Sequence, residues 1–239
     1  MESFFNTSVF ERSVLAEEFV ANTIIRLVKR KRHSVIGLAT GKTMVGIYKL
    51  LVEEENKTPG LFENVSFVQL DEILLGNDKT GIFASELENL LIKPLKDRFK
   101  VFISINALSA NANSEVIRYS QLLIDIGGID LQLLGLGTNG HIGFNEPGCT
   151  DQTVCRVVNL DPETVSNANL PVGCRAITLG VRDILDSKKI ILVASGIHKS
   201  RAVKSTFRGV ERPSCPASFL LKHKSIKIIL DAPAASLLF

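Results

Sequence analysis

Apolar runs of strand length recur along the 239-residue chain, at residues 34–39, 65–70, 101–105, 129–136, 176–179, 189–194 and 226–230. Between most of them apolar positions return at helical spacing, most clearly over residues 43–55, 82–95, 113–126 and 198–207. Ahead of the first run, residues 8–32 set Val14, Leu15, Phe19, Ile24, Ile25 and Val28 near helical spacing, with acids early and bases late as a helix dipole favours. The alternation predicts an α/β fold: a three-layer α/β/α sandwich with a mostly parallel, Rossmann-like sheet between helices. No internal repeat, low-complexity tract or linker interrupts it, so residues 1–239 read as one domain. The least periodic stretch, residues 150–173, carries two prolines and a short helical pattern from Asp161. It is either a lid over a site or a long surface connection.

Composition narrows the function more by exclusion. A hydrophobic content of 45% supports a sizeable core, and a net charge of +3 is too mild to imply nucleic acid, though it suits an anionic small molecule. The basic run from Lys29 to His33 is explained by a helix C-terminus leading into a strand. Four cysteines without CxxC spacing predict reduced thiols and no metal site. The first residues lack the basic start and unbroken apolar stretch of a signal peptide, and no run is long enough to span a membrane. A soluble, cytoplasmic protein is expected, with no nucleic-acid or membrane partner; its oligomeric state is left open, a homo-oligomer included.

The densest chemistry lies in residues 134–148, LGLGTNGHIGFNEPG. The block opens where a buried strand leaves its sheet, the place where open α/β sheets bind ligands. Gly135, Gly137, Gly140 and Gly143 are expected to take positive φ and admit a ligand close to the backbone. The GxGxxG pattern they contain is weak, because Pro147 and two further glycines oppose the helix that a dinucleotide site needs. His141 falls in a bend, and Glu146 behind it can fix the imidazole tautomer and favour the imidazolium, leaving the other ring nitrogen to move a proton. LATGKT, residues 38–43, joins a strand to a helix, so its N–H groups are either a phosphate cradle or an ordinary turn. Asp71 and Glu72 close the run at 65–70; side chains alternate along a strand, so only one of the pair faces a given side. Lys199, in SGIHKSRAV, reads alone as an exposed helix-terminal lysine, and His198 beside it as a surface residue.

Taken together, LATGKT, FVQLDE, LGLGTNGHIGFNEPG and SGIHKSRAV resemble, in order, the motifs of the glucosamine-6-phosphate deaminase family, which includes galactosamine-6-phosphate isomerases and is related to 6-phosphogluconolactonases. The resemblance runs from about residue 15 to the C-terminus. It implies that Asp71 is the enolising base and that His141, oriented by Glu146 and held by Asn139, assists ring opening. It also implies that Thr40, Gly41, Lys42, Thr43, Gly137 and Lys199 bind the sugar phosphate, without metal or cofactor. There are departures. Lys42 replaces a small residue and either adds charge to the cradle or points into solvent. Asn139 stands where many members carry aspartate. The segment NLDPETVSNANLP, residues 159–171, lacks the two arginines found there in glucosamine-6-phosphate deaminases. Arg175 resembles an arginine of galactosamine-6-phosphate isomerase-like members and either substitutes as phosphate ligand or pairs with a surface acid. Arg156 aligns loosely with a residue tied to allosteric control; with no C-terminal extension after the last strand, no such control is expected.

The implied activity is aldose–ketose isomerisation and deamination of a 2-amino-2-deoxyhexose 6-phosphate to a ketohexose 6-phosphate and ammonia, the missing arginines tilting toward the galacto epimer. A 6-phosphogluconolactonase-like hydrolase is one rival. A non-catalytic sugar-phosphate sensor is the other, disfavoured because nothing before the first helix supplies a DNA-binding module.

Overall fold

The computed structural model of the chain describes residues 6–75, 81–167, 170–207 and 210–238. In chain order its first half holds β1 (Thr7–Phe10), α1 (Ser13–Arg30), β2 (Val35–Leu38), α2 (Lys42–Lys57), β3 (Ser66–Gln69), β4 (Asp71–Leu74), α3 (Ile82–Leu87), β5 (Val101–Ile103) and α4 (Ala112–Asp125). The second half adds β6 (Leu131–Gly135), β7 (Arg156–Asn159), α5 (Pro162–Asn167), β8 (Arg175–Thr178), α6 (Val181–Leu185), β9 (Ile190–Ala194), α7 (Ser200–Thr206), β10 (Ile226–Asp231) and α8 (Ala232–Ala235). Seven strands form the central sheet in the order β1, β10, β9, β6, β2, β3, β5, every neighbouring pair parallel. With helices flanking it, this is the α/β arrangement that the hydrophobic pattern predicts.

The strands β2, β6 and β9 are buried almost throughout because a parallel sheet covered on both faces has no solvent side. Helix α1 turns Ala16, Val20, Ile24 and Val28 inward at four-residue spacing, and α2 does the same with Met44, Ile47, Tyr48 and Leu51. Each of the valine, isoleucine, leucine and methionine side chains contributes about 1.5–3 kcal/mol relative to exposure. Tyr48 also donates to the Ala39 carbonyl at 2.5 Å, which fixes α2 against the end of β2.

Five elements differ from expectation. Residues 8–10, read as the start of the first helix, form β1, an edge strand whose partner β10 lies more than two hundred residues away in sequence, with Thr7 opposite Ile228. The run at 176–179 belongs instead to β8 of a second, antiparallel sheet ordered β4, β8, β7. Its partners β4 and β7 went unread because DEIL and RVVN are too short and polar to stand out. The helix expected over 82–95 is α-helical only to Leu87, and a π turn follows over Glu88–Ile92. Among the described residues no helix is long and apolar enough to cross a membrane.

From β2 the sheet grows through β3 and β5 on one side, and through β6 and β9 on the other. The loops after β2 and β6 therefore diverge and leave a crevice at their carboxyl ends. At the opposite end, Asp130 ties β2 to β6. Its buried carboxylate accepts from Lys31 Nζ at 2.6 Å, Lys188 Nζ at 2.8 Å and the Val35 amide at 2.9 Å. Burial works against its charge, but the two lysines and the amide outweigh it and hold the carboxyl below its usual range. A lowered carboxyl stabilises the fold above its unfolded value near 4 and loses that contribution as pH falls through the folded one. Asp130→Asn is therefore expected to cost about 1–3 kcal/mol at pH 7, and urea titrations repeated at lower pH should show the gap closing below about pH 4.

Candidate active site

The crevice is a cleft of about 520 Å³ lined by loops from β2, β3, β6 and β9. Thr40, Gly41, Lys42, Thr43, Asp71, Gly137, His141 and Lys199 all face it. Eight residues singled out from four separate motifs thus share one wall-to-wall space, of a size that suits a small ligand.

The loop after β6 shapes the histidine end. Of the four glycines expected at positive φ, Gly140 and Gly143 adopt it, at 87° and 56°. Gly137 is needed for a different reason, since a Cβ there would stand 2.3 Å from the His141 ring. At Gly143 a Cβ would meet Thr178 Oγ1 at 2.9 Å and Asp71 Oδ2 at 3.3 Å, so the missing side chain lets the histidine loop close onto the aspartate. Asn139 accepts from the His141 amide at 3.1 Å and donates to Glu146 Oε2 at 2.8 Å. That same Oε2 stands 3.3 Å from His141 Nδ1, an ion-pair contact and not an aligned hydrogen bond. Burial alone would raise the Glu146 carboxyl, but His141, Thr164 and Asn139 bring it down to about 2. Glu146 is therefore a fixed negative charge behind the imidazole.

The aspartate end is built on opposite principles. Strand β3 stops at Gln69, and Asp71 and Glu72 open β4. Their side chains diverge as alternation requires. Glu72 is 0% exposed and accepts from the Ile73, Phe83 and Ala84 amides and from Gln69 Nε2, at 2.7–3.0 Å, which pins α3 to β4. Asp71, 5% exposed, points into the cleft, and among the described residues no donor reaches its carboxyl. Burial, with the nearby Glu72 and Glu86 carboxylates, pushes it up to about 8. A carboxyl poised near neutrality at the mouth of a cleft is suited to taking and returning a proton.

Across the cleft lie the groups for an anion. The 16-residue α2 begins at Lys42, so the amides of the Thr40 to Thr43 turn converge at its positive end. Lys42 is exposed and is part of the cleft lining. Lys199 sits in the 3₁₀ turn Ile197–Lys199 ahead of α7, its ammonium lowered by burial. This turn is anchored by the Asp231 carboxylate, which accepts from the Gly196 amide at 2.9 Å.

Not every residue singled out in the sequence reaches the cleft. Arg175 begins β8 at the far end of the second sheet, exposed and opposite Leu74 and Asn159, so it does not line the cleft. Arg156 reaches inward instead, donating to Asn145 Oδ1 at 2.9 Å. His198, expected at the surface, is exposed yet lines the cleft. Several lining residues carried no sequence signal. Glu86 accepts from the Gly41 amide at 2.9 Å. Phe83 and Phe144 stack at 5.7 Å and line the cleft on the side of the second sheet. Ser195 Oγ, on the Lys199 side, is buried with no partner among the described residues; its place in SGIHKSRAV was the available hint.

Comparison with known proteins places this architecture. The family of glucosamine-6-phosphate isomerases and 6-phosphogluconolactonases matches residues 11–229. A glucosamine-6-phosphate deaminase of Rhodopirellula baltica is 40% identical over 227 residues, covering 92% of this chain and 90% of its own. One of Geobacillus sp. is 39% identical over 224 residues, covering 91% and 89%. A solved structure described as a monomeric glucosamine-6-phosphate deaminase superposes with a TM-score of 0.87 at 32% identity, covering 97% of this chain and 99% of that one. A 6-phosphogluconolactonase from Trypanosoma brucei, at 19% identity, shares the fold with a TM-score of 0.79 over 98% of both chains. The ordered motifs, the crevice they line and the match over most of its length agree: the chain belongs to the glucosamine-6-phosphate isomerase and 6-phosphogluconolactonase family.

Proposed function

We propose that this protein isomerises and deaminates a 2-amino-2-deoxyhexose 6-phosphate, giving a ketohexose 6-phosphate and ammonia. The observation that carries the reading is one cleft with an acid, Asp71, that has no donor among the described residues, beside an imidazole backed by a fixed carboxylate, and an anion cradle across from both. Phosphate is held by the turn from Thr40 to Thr43, with Lys42 and Lys199 supplying charge. His141 takes the proton of the anomeric hydroxyl and delivers one to the ring oxygen as the pyranose opens to the aldehyde, and Glu146 and Asn139 keep it in place. Asp71 then takes the proton from C2, forming an enolamine, and returns it at C1; the resulting imine at C2 adds water and releases ammonia, leaving the ketose. Two acid–base groups with separate duties suffice.

The relatives named above as glucosamine-6-phosphate deaminases favour the gluco epimer over the galacto epimer that the missing arginines suggest, and Arg175 lies outside the cleft. Four free thiols suit a reducing compartment such as the cytoplasm. The segment at 150–173, with β7, α5 and the Thr164 contact, is suited to act as a lid within a single sugar-phosphate domain. The fold shared with lactonases supports the architecture only, and no particular observation favours lactone hydrolysis or mere sensing.

Purified protein is expected to release ammonia from glucosamine 6-phosphate faster than from galactosamine 6-phosphate and to leave 6-phosphogluconolactone unconsumed. Consumption of the lactone alone rejects the proposal. Asp71→Asn should lower turnover by about 10²–10⁴ while sugar-phosphate binding, followed by calorimetry, is retained. The same variant should gain stability. A carboxyl raised in the folded state contributes stability below its unfolded value near 4 and loses it as pH rises through about 8. Asp71→Asn escapes that loss, so its denaturation midpoint should match the wild type near pH 4 and exceed it increasingly toward pH 8.

A further inference from the structure

The contact that stands outside this scheme joins the second sheet's neighbourhood to the histidine. Thr164, on α5, donates its hydroxyl to Glu146 Oε1 at 2.6 Å. The other oxygen, Oε2, is the one that takes the Asn139 amide and faces His141 Nδ1. A carboxylate held through only one oxygen can pivot about its last bond; held through both, it cannot. Thr164 is itself placed by its neighbour. Val165 is buried in a small apolar cluster with Ile73, Phe144, Leu160, Cys174 and Ala176, apart from the main core. That cluster seats α5 over the loop that carries Glu146, and Phe144 of the same loop is part of it.

We infer that Thr164 is a positioning residue for the acid–base pair: its hydroxyl locks the Glu146 carboxylate so that Oε2 meets His141 Nδ1 and the other ring nitrogen is left for the substrate. This rests on the proposed deamination and deepens it, since Thr164 touches neither the cleft nor the reacting atoms. The side of the loop facing α5 is closed by a hydroxyl whose donor direction is fixed by the carboxylate it serves. The titratable groups facing Glu146 are His141 and Cys149, the latter with Arg156 beyond it. Neither replaces a donor to Oε1, so loss of the Thr164 hydroxyl should leave that oxygen unpaired in a half-buried place.

Thr164→Val and Thr164→Ser test it. In the valine variant kcat should fall by about tenfold to a hundredfold, as expected for misplacement of a catalytic group from a distance, with KM little changed. Nitrogen NMR of the free protein should show His141 passing from one tautomer, protonated at Nδ1, to a mixture, and Glu146 should titrate higher than about 2. Serine should restore all three. Thr164→Ala carries the same expectation as valine without its bulk, so a valine variant that fails to fold leaves the comparison with serine intact. Wild-type tautomer and kcat in a folded valine or alanine variant overturn the inference. Because the tautomer is read without substrate, a wild-type protein that releases no ammonia but shows the tautomer change overturns the proposed activity alone.

Discussion

A carboxylate taken out of water must find donors or give up its charge, and this cleft is organised by how three of them meet that constraint. Glu72 is wholly buried and receives four donors, three of them backbone amides. Glu146 is partly buried and is held at both oxygens, which keeps it ionised. Asp71 is nearly as buried as Glu72 and, among the described residues, has no donor at all, so it gives up its proton only near pH 8. The residue types are almost interchangeable. What separates a clamp, a fixed countercharge and a mobile proton carrier is the count of N–H and O–H groups that the fold brings to each.

Those donors come from topology. Divergence of the loops after β2 and β6 opens the crevice, and the antiparallel sheet of β4, β8 and β7 closes one of its sides. By starting β4 directly after β3, the chain sends Asp71 toward the crevice and Glu72 back toward α3, where it caps the first turn. Phe83, from that capped helix, then stacks on Phe144 of the histidine loop. One buried glutamate thus links the position of Asp71 to the wall beside His141, and Gly143 supplies the space in which the two meet.

Most of the central sheet was legible because its inner strands are continuous apolar runs, as a parallel sheet covered on both faces requires. The cleft motifs were legible because glycine, proline and charge crowd into segments too short for a core. What was hidden depended on partners remote in sequence. Strand β1 exists by pairing with β10, and nothing within Thr7–Phe10 announces that. The sequence DEIL reads as a loop of two acids unless β8 is known to lie alongside it. Arg175 was chosen for its charge and its place before a strand, but that strand runs in the second sheet and carries the arginine away from the cleft. Glu86 and Phe83 had no motif of their own; they became site residues when Glu72 fixed the helix that bears them.

Electrostatics at the anion end follow the same logic with the sign reversed. The amide of Gly41, at the start of α2, is occupied by the Glu86 carboxylate, while Lys42 and Lys199 face the same space. A phosphate entering there meets two ammonium groups and one carboxylate, and the substrate proposed carries an amino group as well as a phosphate. A cleft with cations at one end and Glu86 and Glu17 within it fits a ligand bearing both signs better than one that is only anionic. The acids that raise Asp71 would also repel a purely anionic sugar phosphate. The same clustering of negative charge therefore tunes the proton carrier and discriminates among phosphates, without a residue dedicated to either task.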